Sequence, residues 1–160
     1  MINEDRFVAV ALSAWKATID RADKLFSALT EEQLLKEVAS GKNRLIYLWG
    51  HLTAVHDAML PLLAFGPRLH PEFDNAFITN PDKAVSSMPS ADEVRKSWKE
   101  VNGKLSEEFA KLQSEQWLEK HTSVSDADFA KEPLRNRLAV LLSRTNHVAY
   151  HLGQAVLSPK

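Results

Sequence analysis

Four long segments of the chain carry apolar residues at helical spacing, and no segment alternates convincingly between apolar and polar residues as a strand does. The segments cover about residues 3–29, 44–65, 90–112 and 133–157. They form two successive pairs, and two helical hairpins pack naturally into a four-helix bundle. The sequence therefore predicts one all-α, four-helix-bundle domain that spans residues 1–160.

Local start signals support two of the helix boundaries. Thr30 is followed three residues later by Gln33, and Ser90 is followed in the same way by Glu93. Each pair has the spacing of a capping box, in which the two side chains satisfy free backbone N–H groups at a helix start. We therefore expect a short helix after Thr30 and a long helix after Ser90.

The two halves of the chain resemble each other. Residues 26–35 align without gaps to residues 109–118 and share Phe, Leu, Glu, Gln and Leu with them. Each copy follows one long helix and precedes another that bears histidine, which suggests a duplicated helix pair. After the second copy we expect a polar loop over 121–128, and Pro133 suits the first turn of the fourth helix.

The connection between the second and third long helices is unusually long. Residues 66–89 are rich in proline and show no clean period. Loops of this length inside compact domains are uncommon and are usually functional lids or disordered segments. Phe73, Phe77 and Ile78 give the connection apolar anchors, so we expect a packed lid.

Composition excludes several classes of site and partner. The net charge is -1, so the chain lacks the basic surface that binding to nucleic acid or to anionic membranes requires. No apolar run reaches the roughly 20 residues that span a bilayer, and the acidic start does not resemble a signal peptide. The chain has no cysteine, which excludes disulfides, thiolate metal sites and cysteine nucleophiles. We expect a cytoplasmic protein.

The last helix carries His147 and His151, four residues apart. Side chains at this spacing lie on one face, about one turn apart, so both imidazoles can reach one metal ion. Such an ion needs a further ligand, and the second long helix offers His51 and His56. These two lie about 140° apart on a regular helix and cannot share a site. His56 falls within an apolar stripe, which favours a hydrogen-bonded core histidine.

One pattern on the fourth helix opposes this hypothesis. His147 and His151 lie roughly 120–160° from the centre of its main apolar stripe. The stripe comprises Leu138, Leu141, Leu142, Val148, Ala149, Leu152 and Val156. The histidines then either face solvent or lie on a helix that is buried on two sides. Burial on two sides in so small a bundle points to a subunit interface, so we expect a homodimer.

With these residues assembled, the chain resembles the DinB-like (YfiT-like) superfamily of four-helix-bundle metalloproteins. The likeness rests on Trp-Gly-His-Leu at 49–52, on the long connection and on His-x-x-x-His-x-x-Gln over 147–154. It implies a homodimer and a metal site formed by His51, His147 and His151. Gln154 matches a residue often seen one turn after the last ligand. Some members of that superfamily are transferases that use a low-molecular-weight thiol, and the resemblance implies such an activity here.

Three neutral imidazoles leave an ion with open coordination positions, as in catalytic zinc sites. Imidazole suits zinc and nickel, the metals that we expect here, and also copper and iron. The leading hypothesis is transfer of a small thiol, activated at the metal, to an electrophilic small-molecule substrate. The lid residues Phe73 and Phe77 would exclude water, and Arg68 or Arg144 would hold an anionic thiol or substrate.

Two other functions remain open from the sequence. A metal-dependent hydrolase would need a general base, for which Asp57, Glu32 and Glu37 are the nearby carboxylates. A non-enzymatic, stress-response metal-binding bundle would act through dimerisation or partner contacts. No phosphate-binding glycine loop or Gly-x-Ser-x-Gly motif is present in the sequence.

Overall fold

The computed structural model describes residues 2–158. In this part of the chain the regular elements are helices, no β-strand occurs, and no helix is long and apolar enough to cross a membrane. The all-α prediction is confirmed. The elements are α1 (Ile2–Ser27), α2 (Glu31–Leu34), α3 (Leu45–Asp57), α4 (Met59–Leu62), a π-helical turn (Asn75–Thr79), α5 (Ala91–Phe109), α6 (Ser114–Trp117), α7 (Asp126–Lys131) and α8 (Arg137–Ala155).

The four long helices, α1, α3, α5 and α8, pack as a bundle in which α1 lies against α8 and α3 against α5. Two apolar clusters fill opposite ends of this bundle. Trp15 and Leu141 belong to one cluster, and Phe26 and Val148 belong to the other, so α1 and α8 run in the same direction. Leu45 at the start of α3 and Ala91 at the start of α5 belong to the cluster of Phe26, whereas Met59 of α4 and Phe109 at the end of α5 belong to the cluster of Trp15. The helices α3 and α5 are therefore also parallel. The long connection after α4 is therefore needed to return the chain to the start of α5.

The two halves repeat a detail at the entrance to α3 and α8. The short helices α2 and α6 each end on a fully buried residue, Leu34 and Trp117. An isolated antiparallel bridge follows each of them, and it ends at the residue before α3 or α8 (Glu37–Arg44 and Lys120–Asn136). This correspondence supports the duplicated helix pair that the sequence suggests.

Both predicted capping boxes are present. The Thr30 hydroxyl accepts from the N–H of Gln33, and the Gln33 side chain accepts from the N–H of Thr30. Ser90 and Glu93 form the same reciprocal pair at the start of α5. These caps satisfy backbone donors that a helix start otherwise leaves free.

Three predictions about where helices begin, end or occur were wrong. The fourth long helix begins at Arg137 and not near Pro133, because the Asn136 side chain caps it by accepting from the N–H of Ala139. Part of the expected polar loop forms α7, which Ser125 caps. The second long helix is interrupted at Ala58, where α3 ends and α4 begins. Pro61 has no N–H to donate to the carbonyl four residues back, which weakens the helix there.

The connection 66–89 is a packed lid, as predicted. Phe73 and Phe77 are buried in the core, whereas Ile78 is 45% exposed and is not the anchor that the sequence predicted. Polar contacts tie the lid to α3: the Asp82 carboxylate accepts from the N–H and guanidinium of Arg44, and the Tyr47 hydroxyl donates to the carbonyl of Asn80.

The buried face of α8 differs from the predicted stripe. Leu142 is 44% exposed and Val156 is 64% exposed, although both were expected in the stripe. The residues of α8 that are buried are Val140, Leu141, Thr145, Val148 and Ala155. Because α8 packs against both α1 and α3, its buried arc is shifted toward the side of the histidines. His147 and His151 therefore lie at the edge of the interior without a second buried face.

Candidate metal centre

The structure brings His51, His147 and His151 together at the junction of α3 and α8. Each is half-buried, and one ligand atom from each lies within 4.8 Å of those from the other two. The Nε2 atom of His147 is 3.2 Å from that of His51 and 3.0 Å from that of His151. Nitrogen ligands about 2.0–2.1 Å from one ion are about 2.8–3.4 Å apart in octahedral or tetrahedral geometry. The spacing of the nitrogens therefore fits a shared metal ion.

Hydrogen bonds outside the cluster orient two of the rings. The Nδ1–H of His51 donates to the carbonyl oxygen of Phe77 over 2.8 Å, and the Nδ1–H of His151 donates to the side-chain oxygen of Gln154 over 2.8 Å. Because a neutral imidazole carries one proton, the Nε2 atoms of His51 and His151 are lone-pair acceptors. Both lone pairs meet at the Nε2 atom of His147, which has at most one proton to offer. A cation satisfies this arrangement better than hydrogen bonds do.

Burial keeps two of these histidines neutral. The pKa of His147 is lowered to about 4, chiefly by burial and to a smaller extent by the neighbouring His151 and His51. The pKa of His151 is also lowered, chiefly by burial, although the Gln154 hydrogen bond opposes the shift. Metal ions bind the neutral imidazole, so a low pKa favours metal binding over protonation near neutral pH.

Gly50 allows the lid to reach His51. A Cβ atom at position 50 would lie 2.3 Å from the ring of Phe77, far inside van der Waals contact. Phe77 lies in the π-helical turn, and its ring packs directly on α3 while its carbonyl oxygen accepts from His51. The glycine is therefore required for the contact that orients the first candidate ligand.

His56 is a core histidine, as its apolar stripe predicted. Its side chain is fully buried, and its ring centroid lies 4.9 Å from that of Trp15 and 5.2 Å from that of Trp98. The Nδ1–H donates to the side-chain oxygen of Asn102 over 2.9 Å. Burial lowers the pKa of His56 to about 3 despite this hydrogen bond. His56 does not belong to the metal-ligand cluster.

The two candidate anion-binding arginines have different surroundings. Arg68 is bound by Asp57 over 3.0 Å and by Asp74, so its charge is already neutralised. Arg144 is half-buried, its Nε atom has no hydrogen-bond partner, and burial alone lowers its pKa, with no described carboxylate to oppose the effect. Of the two, only Arg144 is free to bind an anion.

Two of the three carboxylates considered as general bases, Asp57 and Glu37, are engaged in other contacts. Asp57 is fully buried, and besides Arg68 it accepts from the N–H groups of Leu69 and His70. Glu37 binds Lys83 and the N–H of Gly41. Among the described residues, no carboxylate belongs to the three-histidine cluster. Asp57 instead fixes the start of the lid to the end of α3.

Sequence reasoning missed the carbonyl group of Phe77 as a partner of His51. A backbone carbonyl leaves no mark on the sequence, but Gly50 was an available signal. Glycine inside a helix costs about 1 kcal/mol relative to alanine, so its presence beside a candidate ligand indicates a close approach by another part of the chain.

Comparison with known proteins identifies the family and agrees with the fold. The family model of the DinB superfamily matches residues 14–155. The chain belongs to the DinB superfamily. The crystal structure of a conserved protein from Enterococcus faecalis superposes on this DinB chain with a TM-score of 0.62, 15% sequence identity and 92% coverage of each chain, a likeness that concerns the fold alone. A search of curated proteins finds no match.

Proposed function

We propose that His51, His147 and His151 bind one divalent transition-metal ion through their Nε2 atoms. The observation that carries this proposal is the convergence of the three Nε2 atoms, two of them left as bare acceptors by the hydrogen bonds to Phe77 and Gln154. Such hydrogen bonds on the other ring nitrogen are typical of metal-ligating histidines. An all-imidazole ligand set favours zinc or nickel over magnesium and calcium.

The proposed reaction is transfer of a low-molecular-weight thiol to a small electrophilic substrate. A bound divalent ion with open positions supplies the positive charge that favours the deprotonated form of a thiol. The chain has no cysteine, so the sulfur has to come from a second molecule. The lid, whose residues Phe73 and Phe77 are buried against α3, covers the α3 side of the site.

Hydrolysis is the weaker alternative because two of the three carboxylates considered as general bases, Asp57 and Glu37, are engaged elsewhere. Asp57 holds Arg68 and the lid backbone, and Glu37 holds Lys83. A non-enzymatic metal-binding role is the third possibility. It predicts a tightly bound ion that exchanges neither water nor added thiol.

Metal analysis of protein purified without an affinity tag tests the site. We expect about one equivalent of zinc or nickel in the wild type and less than a tenth of that in His51→Ala, His147→Ala and His151→Ala. His70→Ala is the matched control, because His70 lies outside the cluster and contacts Glu72 and Glu100. Full metal content in all three cluster variants would contradict the proposal.

A direct spectrophotometric assay tests the reaction. Glutathione or cysteine is mixed with a chromogenic aryl halide, and product formation is compared among metal-loaded, metal-free and His147→Ala protein. Thiol transfer requires that the metal-loaded wild type exceed both of the others by at least tenfold. Equal rates in all three would contradict the proposed transferase activity but not the proposed metal site.

We also propose a homodimer that forms through the outer face of α1 and α8. This face carries exposed apolar residues, namely Phe7, Val10, Leu142, Tyr150 and Val156. Light scattering at micromolar concentration should give a dimer for the wild type and a monomer for Leu142→Lys. Leu134→Lys is the control, because Leu134 is 81% exposed but lies before α8. A monomeric wild type would contradict the proposal.

A further inference from the structure

A cavity beside the histidine cluster carries positive charge. It has a volume of about 330 Å³, and its polar wall includes His121, Arg135, Ser143 and Arg144. Among residues 2–158, no carboxylate lines it. Its apolar wall includes Leu62 and Val140. Small-molecule sites of this size usually combine an apolar surface with a few polar groups.

Two of the polar side chains have unpaired, buried nitrogen atoms. The Nε of Arg144 and the Nδ1 of His121 are both buried and have no hydrogen-bond partner among the described residues. Arg135 contacts Glu132 at 3.7 Å, a loose and exposed ion pair that leaves most of its charge available. Both residues line the cavity, so its wall carries polar side chains whose hydrogen-bonding capacity the described residues do not satisfy, and such groups are costly to leave unpaired.

The wall that carries His121 is held in place by backbone hydrogen bonds. The residue after it, Thr122, donates its N–H to the carbonyl of Leu62 over 3.0 Å, and its hydroxyl contacts the same carbonyl. The residue before it, Lys120, forms the isolated bridge to Asn136. The cavity is therefore built by contacts among α4, the loop after α6 and the start of α8.

The cavity and the histidine cluster share one face of α8. Ser143 and His147 are four residues apart and neighbours on this face, and Arg144 precedes His147 by three residues. A ligand that spans about one helical turn, about 5.4 Å, can reach from Arg144 to the cluster.

We propose that this cavity binds the carboxylate of a small organic acid, with Arg144 as the principal anion-binding residue and the apolar wall in contact with the carbon chain. The guanidinium group matches a carboxylate with two parallel hydrogen bonds. The further step, that the same molecule presents its other end to the three histidines, rests on the proposed metal site.

Binding of butyrate, acetate and inorganic phosphate to metal-free protein tests the cavity, with calorimetry or NMR titration as the measurement. We expect butyrate to bind most tightly, because only butyrate uses the apolar wall. Arg144→Gln should weaken butyrate binding at least tenfold, and Arg144→Lys should weaken it less, because lysine keeps the charge but loses the paired geometry. Arg21→Gln is the control. Arg21 lies on α1, on the side of α8 that faces away from the cavity, so this variant has the same change in net charge and should alter binding less than twofold.

Three results would overturn the cavity proposal: no binding of butyrate by the folded wild type, equal effects of Arg144→Gln and Arg21→Gln, or tighter binding of phosphate than of butyrate. Thermal unfolding of each variant establishes that it is folded, and Arg144→Lys provides the test if Arg144→Gln is not. Butyrate binding by metal-free protein does not depend on the metal site, so the two proposals can fail separately.

Mercaptopropionate, which carries a thiol and a carboxylate, tests the link between the two sites. Zinc-loaded wild type should bind it at least tenfold more tightly than butyrate, and this advantage should disappear in His147→Ala. In Arg144→Gln the metal content should be unchanged while mercaptopropionate affinity falls. An advantage that survives in His147→Ala would contradict the link but not the carboxylate site.

Discussion

His51 and His56 lie five residues apart on α3 and have opposite surroundings. His51 is half-buried beside α8, and its free Nε2 faces two more histidines. His56 is fully buried between Trp15 and Trp98 and donates to Asn102. The role of a histidine on α3 therefore depends on its neighbours: it is a candidate ligand where other imidazoles lie close to it, and a packing residue where aromatic rings enclose it.

Replacing each histidine by alanine should give the largest difference between the two positions. His56→Ala leaves a cavity and an unpaired Asn102 oxygen, so we expect it to lower the free energy of unfolding of the metal-free protein by about 3 kcal/mol. His51→Ala removes a half-buried ring and should cost less than about 1 kcal/mol in the same urea experiment. Metal content should show the reverse: retained in folded His56→Ala and lost in His51→Ala. A folded His56→Ala protein without metal would show that the two regions are not separate.

A substitution next to His51 tests whether the lid orients the metal centre. Gly50→Ala forces the ring of Phe77 away from α3 and should disturb the bond from His51 to the Phe77 carbonyl. Loss of such an outer partner typically lowers metal affinity 10–100-fold. Metal affinity is measured by competition with a chromogenic chelator.

Gly103→Ala is the control for that experiment. Gly103 lies inside α5, and a Cβ added there meets no atom within 4 Å. We expect it to leave metal affinity unchanged and to stabilise the protein by up to about 1 kcal/mol, because alanine is the better helix former. If both alanine variants bind metal equally well, the lid contact does not set the affinity.

The burial of His56 also predicts a pH dependence of stability. The pKa of His56 is about 3 in the folded protein and near 6.5 when the chain is unfolded. Between these values the unfolded state binds one more proton, so His56 makes the protein less stable as pH falls from 6.5 toward 3 and has no such effect above 6.5. The slope from this one group is at most about 1.4 kcal/mol per pH unit.

Urea unfolding of metal-free wild type and His56→Gln between pH 4 and 7 isolates this contribution, since other titrating groups are common to both proteins. The wild type should lose stability more steeply on acidification. Parallel curves would mean that His56 is protonated, or exposed to water, in the folded state.

Helical periodicity, capping residues and the i,i+4 pair of histidines are local properties, and the sequence was enough to predict the structures that depend on them. The four long helices, the caps at Thr30 and Ser90 and the shared face of His147 and His151 all follow from neighbours in the chain. The start of α8 was misplaced because two local signals competed. Asn136 forms the cap, whereas Pro133 lies in the turn before it.

The remaining features depend on residues that are distant in sequence. The choice between His51 and His56 was settled by what packs against each side of α3, and the direction that α8 faces was settled by its contacts with both α1 and α3. Arg68 and Arg144 looked equivalent in the sequence, but Asp57 and Asp74 bind only Arg68. The amino-acid sequence by itself determines which helices form, because helix formation depends on nearby residues. Which of their faces meet, and so which histidines can share an ion, is decided by packing among all of them.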